Sequence, residues 1–206
     1  MKVTYFSVGE LGTNCYIVRD DSGHAVVLDP GGDAQRILNA VKVDNLTVDF
    51  VLLTHAHFDH MMAAEAVCAA TGAPLCVGAG DAPMLFDARL NLSAMVHPLQ
   101  TVALSADRLL AEGDTICFGD STLTVLETPG HTRGGVCYLG DGVLFSGDTL
   151  FAGSIGRTDL PGGDMTVLRH SLSRLTMLDG DYIVYPGHGE QTTLSFEKAA
   201  NPYLVL

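Results

Sequence analysis

Residues 54–60 read Thr-His-Ala-His-Phe-Asp-His, directly after Asp49–Thr54, a continuous apolar run that suits a central strand buried on both faces. No other feature constrains the chain as much. Imidazole and carboxylate are the ligands that zinc and related divalent ions prefer. His55 and His57 lie two apart in extended backbone, so they project to one side and can hold one ion. Asp59 and His60 follow where the chain turns into a helix, and can point at a neighbouring ion. Asp59 would also suit a helix N-cap.

Three later segments have the same form, an apolar run ending in a glycine turn that carries one ligand type: Thr128-Pro129-Gly130-His131, Ser146-Gly147-Asp148-Thr149 and Tyr185-Pro186-Gly187-His188. One such turn is ordinary loop punctuation. Three of them with the cluster supply five histidines and two aspartates. That set can fill two ions and leave positions open for water, as a catalytic site requires.

The rest of the chain supports a layered α/β fold. Val3–Val8, Asn14–Val18 and Ala25–Leu28 read as strands, with Asp20–Gly23 as a hairpin turn. Ala34–Val41 reads as a helix, and Met61–Gly72 as a second helix ending at glycine. Leu75–Val77 is a short strand. Residues 81–107 show no clear period beyond a helical turn or two and a loop at His97-Pro98. Two hairpins follow, Thr115–Phe118 with Leu123–Glu127 and Val136–Leu139 with Val143–Ser146, then a glycine-rich loop over Phe151–Gly163, a helix over Met165–Leu178 and a strand over Tyr182–Tyr185. The same order of hairpins, helix, strand and polar loop occurs twice without a Pro- or Ser-rich linker. This predicts two similar half-units in one domain spanning 1–206, with sheets inside and helices outside.

Eleven Lys and Arg against 24 Asp and Glu leave a net charge of −13. That argues against nucleic acid and against anionic membrane surfaces as partners. No run approaches the roughly 20 apolar residues of a membrane span, and the N-terminal stretch lacks the apolar core of a signal peptide. Five cysteines without a C-x-x-C pair suggest reduced thiols and a cytoplasmic protein. Cys15, Cys68, Cys117 and Cys137 are expected to be buried hydrophobes, with Cys76 beside a glycine turn less clear.

T-H-A-H-F-D-H, P-G-H-T, S-G-D-T and Y-P-G-H in this order resemble the metallo-β-lactamase fold over nearly the whole chain. Leu150–Asp159 (LFAGSIGRTD) and Phe196–Leu204 (FEKAANPYL) are similar to glyoxalase II-like hydrolases of a small type. The resemblance implies a four-layer αβ/βα sandwich. It implies that His55, His57 and His131 hold a first ion, that Asp59, His60 and His188 hold a second, and that Asp148 bridges them. Two divalent ions, zinc foremost with iron or manganese as substitutes, would share a bridging hydroxide that attacks a thioester, with Asp59 orienting it and accepting its proton. Asp29 is placed near the metals, where it could orient a histidine. The family's glutathione-binding Lys and Tyr align with Arg157 and Asp159; Arg157 could meet a substrate carboxylate, whereas Asp159 would repel one or pair with Arg157. Glyoxalase II proper also carries a C-terminal helical domain for glutathione, for which this chain is expected to be too short. True metallo-β-lactamases usually have Cys where Asp148 stands, which argues against lactam hydrolysis. The Gly-Arg-Thr-Asp loop is also similar to that of persulfide dioxygenases. The alternative is therefore a one-iron oxygenase using His55 or His57, His131 and Asp148. His24, His97 and His170 are expected to be structural or surface residues, with His97 near the mouth of the site.

Overall fold

A computed structural model describes residues 1–96 and 102–204, so His97 lies outside the described residues. The first sheet is a meander followed by crossovers. Strands β1 (Lys2–Val8), β2 (Thr13–Arg19) and β3 (His24–Leu28) pair antiparallel. Helix α1 (Ala34–Val43) then returns the chain to β4 (Thr47–Leu52), which is parallel to β3. The expected helix over Met61–Gly72 is instead two pieces, α2 (Phe58–Met61) and α3 (Ala64–Thr71), with a break at Met62-Ala63. At the break the Ala63 N–H donates to the Pro30 carbonyl at 2.9 Å. Gly72 closes α3 at φ 75°, a left-handed conformation that costs glycine no Cβ clash. β5 (Leu75–Gly78) and β6 (Arg108–Leu110) complete a six-stranded sheet. Between them lie a 3₁₀ segment, Ala79–Leu85, and the short helix α4 (Ser93–Val96).

The second sheet begins with four antiparallel strands: β7 (Thr115–Phe118), β8 (Ser121–Glu127), β9 (Val136–Gly140) and β10 (Val143–Gly147). The glycine-rich loop contains a small hairpin, β11 (Leu150–Phe151) with β12 (Ser154–Ile155). Helix α5 (Met165–Thr176) starts at Asp164, whose carboxylate accepts from the backbone N–H of Thr166 and Val167. It buries Leu168, Leu172 and Leu175, one stripe at helical spacing. β13 (Ile183–Pro186) runs parallel to β10. β14 (Thr192–Thr193) and helix α6 (Leu194–Ala200) follow.

Three apolar clusters define four layers. Val18, Leu28, Leu52, Val125, Tyr138 and Phe145 fill the space between the sheets. Val27, Val51 and Leu53 face Ile37 of α1 and Val67 of α3 on the outer side of the first sheet. Leu144 and Val184 meet Leu168, Leu172 and Leu194 outside the second sheet. Thus the end of β4 and the residue after it place Leu52 in one cluster and Val51 and Leu53 in another, which is why Phe50–Leu53 is apolar without alternation. Cys15, Cys76 and Cys137 are buried, whereas Cys68 is half-buried and Cys117 is exposed. The correction at Cys117 has a simple cause: β7 alternates, and Ile116 and Phe118 take the inward positions. No helix among the described residues is long and apolar enough to cross a membrane.

At the end of the strands away from His55, Asp20 ties the two sheets. Its carboxylate accepts from the Ser22 hydroxyl, from the His24 N–H and, across the sandwich, from the Asp120 N–H at 2.8 Å. The Ser22 bond and then the Asp120 bond lower its pKa to about 2. A carboxyl lowered in the folded state stabilises above its ordinary pKa, and loses that effect as pH falls through the folded value. Asp20→Ala should therefore lower the urea midpoint clearly at pH 7 and less at pH 3. An equal difference at both pH values would contradict the tie.

Candidate metal centre

Strands β4, β8, β10 and β13 all end at the same rim of the sandwich, and each hands the chain to one of the motifs. His55 follows β4; His57 has extended backbone and precedes α2, so Asp59 and His60 occupy its first turn. Asp59 is thus inside the helix and does not cap it. His131 follows β8, Asp148 follows β10 and His188 follows β13.

The seven side chains converge. Ligand atoms of His55, His57 and His131 all lie within 4.8 Å of one another, and so do those of His55, His60 and Asp148 and those of Asp59, His60 and His188. His131 Nε2 is 3.0 Å from His57 Nδ1. Asp148 reaches His60 and His131 Nε2 at 3.5 Å and His188 Nε2 at 3.7 Å. Asp59 lies 3.3 Å from His188 Nε2 and 3.5 Å from His60 Nε2. Gly187 is needed for this approach, because a Cβ there would overlap the Asp148 carboxylate.

Burial and charge act differently on the two sides. Burial first, and then the neighbouring imidazoles His60 and His57, hold His55 well below the ordinary histidine range. Burial and His131 lower His57 to about 3. Both are therefore neutral at pH 7 and carry a free lone pair. Burial opposes charge on His60 too, but Asp59, Asp29 and Asp148 outweigh it and raise it to about 10. Burial likewise raises the Asp59 carboxyl, yet His60 and the bonds from His188 and Thr13 leave it below the usual carboxylate range. One side thus offers neutral nitrogen donors, and the other is a carboxylate-rich place that favours positive charge.

The surrounding bonds fix the rings. Asp29 Oδ2 is 2.9 Å from His60 Nδ1, and the same carboxylate accepts from the Thr54 N–H and hydroxyl, each at 2.7 Å. Asp29 sits at φ 48°, an unfavourable conformation for a residue with a Cβ, held there by these bonds. His131 Nδ1 is 2.7 Å from the Arg157 backbone carbonyl, so its Nε2 is the nitrogen that faces the cluster. The Arg157 guanidinium lines the mouth, and it is engaged by both Asp159 oxygens at 2.6 and 2.7 Å. His24 stands away from the site and pairs with Asp49 at 2.8 Å, and His170 lies in α5.

Several residues that hold the site were not singled out in the sequence. Asp81, fully buried in the 3₁₀ segment, accepts from the Ala56 N–H, the Thr132 hydroxyl and the Gly134 N–H at 3.0, 2.8 and 2.6 Å. It therefore clamps the loop of His55 and His57 to the loop of His131. Burial raises its pKa against those three bonds. From β2, Thr13 donates to Asp59 at 2.8 Å, while Asn14 and Tyr16 donate to the Pro186 carbonyl beside His188.

The chain belongs to the metallo-beta-lactamase superfamily, whose sequence profile matches residues 8–188. This is a superfamily of metallo-hydrolases, and the two packed mixed sheets are its fold. Among similar proteins, the hydroxyacylglutathione hydrolase GloC of Haemophilus influenzae is 34% identical over 99% of this chain and 98% of its own. The crystal structure of BLEG-1 B3 metallo-beta-lactamase is 39% identical, with a TM-score of 0.94 over 100% of both chains. The crystal structure of TTHA1623 in a di-iron-bound form is 37% identical, with a TM-score of 0.87 over 98% of this chain and 100% of that one.

Asp81→Ala should leave three buried donors without an acceptor. At about 1–3 kcal/mol per orphaned group, partly offset by losing a buried charge, a net cost of about 3 kcal/mol is expected. That corresponds to a drop in Tm of about 10 °C, together with reduced metal retention. Thermal unfolding and metal content measured on one sample check this; normal values for both would contradict the clamp.

Proposed function

We propose that the chain is a binuclear metallohydrolase that cleaves an activated acyl group, with a thioester, as in hydroxyacylglutathione hydrolases, as the leading substrate type. One observation carries this reading. Five buried side-chain polar atoms among the described residues lack a hydrogen-bond partner, and four belong to this cluster: Nε2 of His55, His57 and His60, and Oδ1 of Asp148. Each such atom costs about 1–3 kcal/mol if nothing engages it. Their convergence on one rim fits cations. His55, His57 and His131 would hold one ion, Asp59, His60 and His188 a second, and Asp148 would contact both. Zinc suits these donors; iron, supported by the di-iron form of TTHA1623, and manganese suit them as well. When bound, such ions lower the pKa of water toward about 7 and polarise a carbonyl oxygen.

The chain's own groups supply the rest. Asp59, anchored by Thr13, orients the attacking water and takes its proton as the water oxygen bonds to the carbonyl carbon. The C–S bond then breaks and the thiolate departs. A thiol with an ordinary pKa of about 8.5 leaves without acid assistance. Asp29 keeps His60 in one orientation, and the Arg157 carbonyl does the same for His131.

A second reading uses His55 or His57 with His131 and Asp148, a two-histidine and one-carboxylate set that suits non-haem iron and a persulfide dioxygenase. The likeness to BLEG-1 also brings a β-lactam into the comparison. Zinc-loaded and iron-loaded protein should release thiol from thioesters, without oxygen uptake on glutathione persulfide and with little nitrocefin turnover. Asp148→Ala should keep its circular dichroism spectrum, lose at least one ion and lose turnover at least a hundredfold. Oxygen uptake without thiol release, or a folded Asp148→Ala protein with full metal and near-normal turnover, would overturn the proposal.

A further inference from the structure

We propose that Glu197 and Asn201, from the C-terminal helix, are positioning residues that hold the tip of the β11–β12 hairpin, so that Phe151 and Ser154 form a fixed wall for the substrate. The proposal rests on the reading above that the cavity over the cluster is the substrate site.

That cavity has a volume of about 460 Å³, and the hairpin forms one side of it through Phe151, Ser154 and Ile155. Phe151 stands beside His188, with ring centroids 6.4 Å apart, so this wall reaches the cluster. A hairpin of this size does not hold its own shape. Its strands are two residues each, pairing Leu150 with Ile155 and Phe151 with Ser154, and even longer isolated hairpins are marginal in water. Burial secures the base, because Leu150 and Ile155 pack with Leu168 of α5 and Leu194 of α6. The tip has no such anchor. Ala152 and Gly153 are exposed, and Gly153 turns the chain at φ 67°.

Two polar side chains grip the tip instead. Glu197 Oε2 accepts from the Gly153 N–H at 2.9 Å. Asn201 Nδ2 donates to the Ser154 carbonyl at 3.1 Å and to Glu197 Oε2 at 2.7 Å, and lies 3.5 Å from the Phe151 carbonyl. Four residues apart, the pair shares one side of α6. Glu197 Oε1 accepts from the hydroxyl of Thr192, four residues beyond His188, at 2.7 Å. One carboxylate thus joins the segment after His188 to the wall beside it. Both side chains are fully buried. A buried Glu is costly unless its oxygens are bonded, and an apolar residue would fill the space at lower cost. What Glu197 adds is a fixed acceptor for the hairpin tip. Neither residue lines the cavity, so both act through Phe151 and Ser154.

Freeing the tip leaves the buried base in place. The Arg157 carbonyl, beyond that base, still meets His131. Substrate binding should therefore weaken while metal content and kcat hold. Wild type, Glu197→Ala, Glu197→Gln and Asn201→Ala are compared for amide hydrogen exchange, metal content and thioester kinetics. Binding of phenylmethanethiol to the cobalt-loaded proteins is followed by its thiolate-to-metal absorption. Both alanine variants should exchange about tenfold faster over residues 150–155 and unchanged elsewhere. They should raise KM and the thiol dissociation constant about three- to tenfold, with kcat within about twofold. Glu197→Gln should restore all of these. Its carbonyl oxygen accepts from Gly153 and Asn201 while its amide donates to Thr192, whose hydroxyl also accepts. Asn201→Ala carries the test if Glu197→Ala does not fold, because Glu197 keeps its bonds to Gly153 and Thr192. If no protein cleaves a thioester but exchange and thiol binding follow this pattern, the thioester reading fails and the positioning role stands. In a folded alanine variant, unchanged exchange at the hairpin, faster exchange throughout the chain, loss of metal, or a lower kcat with unchanged KM and thiol binding overturns the proposal. So does a Glu197→Gln protein as impaired as Glu197→Ala.

Discussion

Face-to-face packing of the two sheets is the constraint on which the rest depends. β8, β10 and β13 run in one direction within their sheet, and β4 ends at the same rim from the other. Burial of Leu52, Val125, Tyr138 and Phe145 between the sheets therefore brings four polar turns together. The apolar core supplies the energy, and the imidazoles and carboxylates are carried into proximity that they would not adopt alone. That proximity is costly, because four of their polar atoms are buried without partners. The core and the helices on both faces make the cost tolerable.

Precision at the rim comes from side chains around the cluster. Asp29 and Asp81 each join two pieces of backbone: Asp29 links the Thr54 turn to α2, and Asp81 links the His57 loop to the His131 loop. Asn14 and Tyr16 hold the turn before His188 from the opposite sheet. His60 and His131 then each have Nδ1 held from outside the cluster, with Nε2 directed inward. Fixed donors are what allow a site to bind cations in a defined geometry.

Much of this was readable in the sequence. The apolar run before His55 marked β4, and the glycine turns before His131, Asp148 and His188 marked the other strand ends. The supporting residues were harder to see for a physical reason. Asp81 is one of eight Gly-Asp pairs, and most of the others serve as ordinary turns or caps, such as Asp164 at α5. Nothing local separates a clamp from a cap; the difference lies in which distant N–H groups arrive. Thr13, Asn14 and Tyr16 sit in β2, a strand buried on both faces from Thr13 to Val18, and their partners come from residues 46 to 172 positions away. At the break between α2 and α3 the Ala63 N–H turns to the distant Pro30 carbonyl, and the run after His60 carries no Gly or Pro to announce it. Cys117 was misplaced because its short apolar run gives no phase for the alternation.

The most direct test of the account is a metal titration of the stripped protein. Zinc or iron is added to apoprotein while bound metal and thioester turnover are followed on the same samples. The account predicts saturation near two ions per chain, with turnover rising mainly as the second site fills. Full turnover at one ion per chain, with no further change on the second addition, would contradict it.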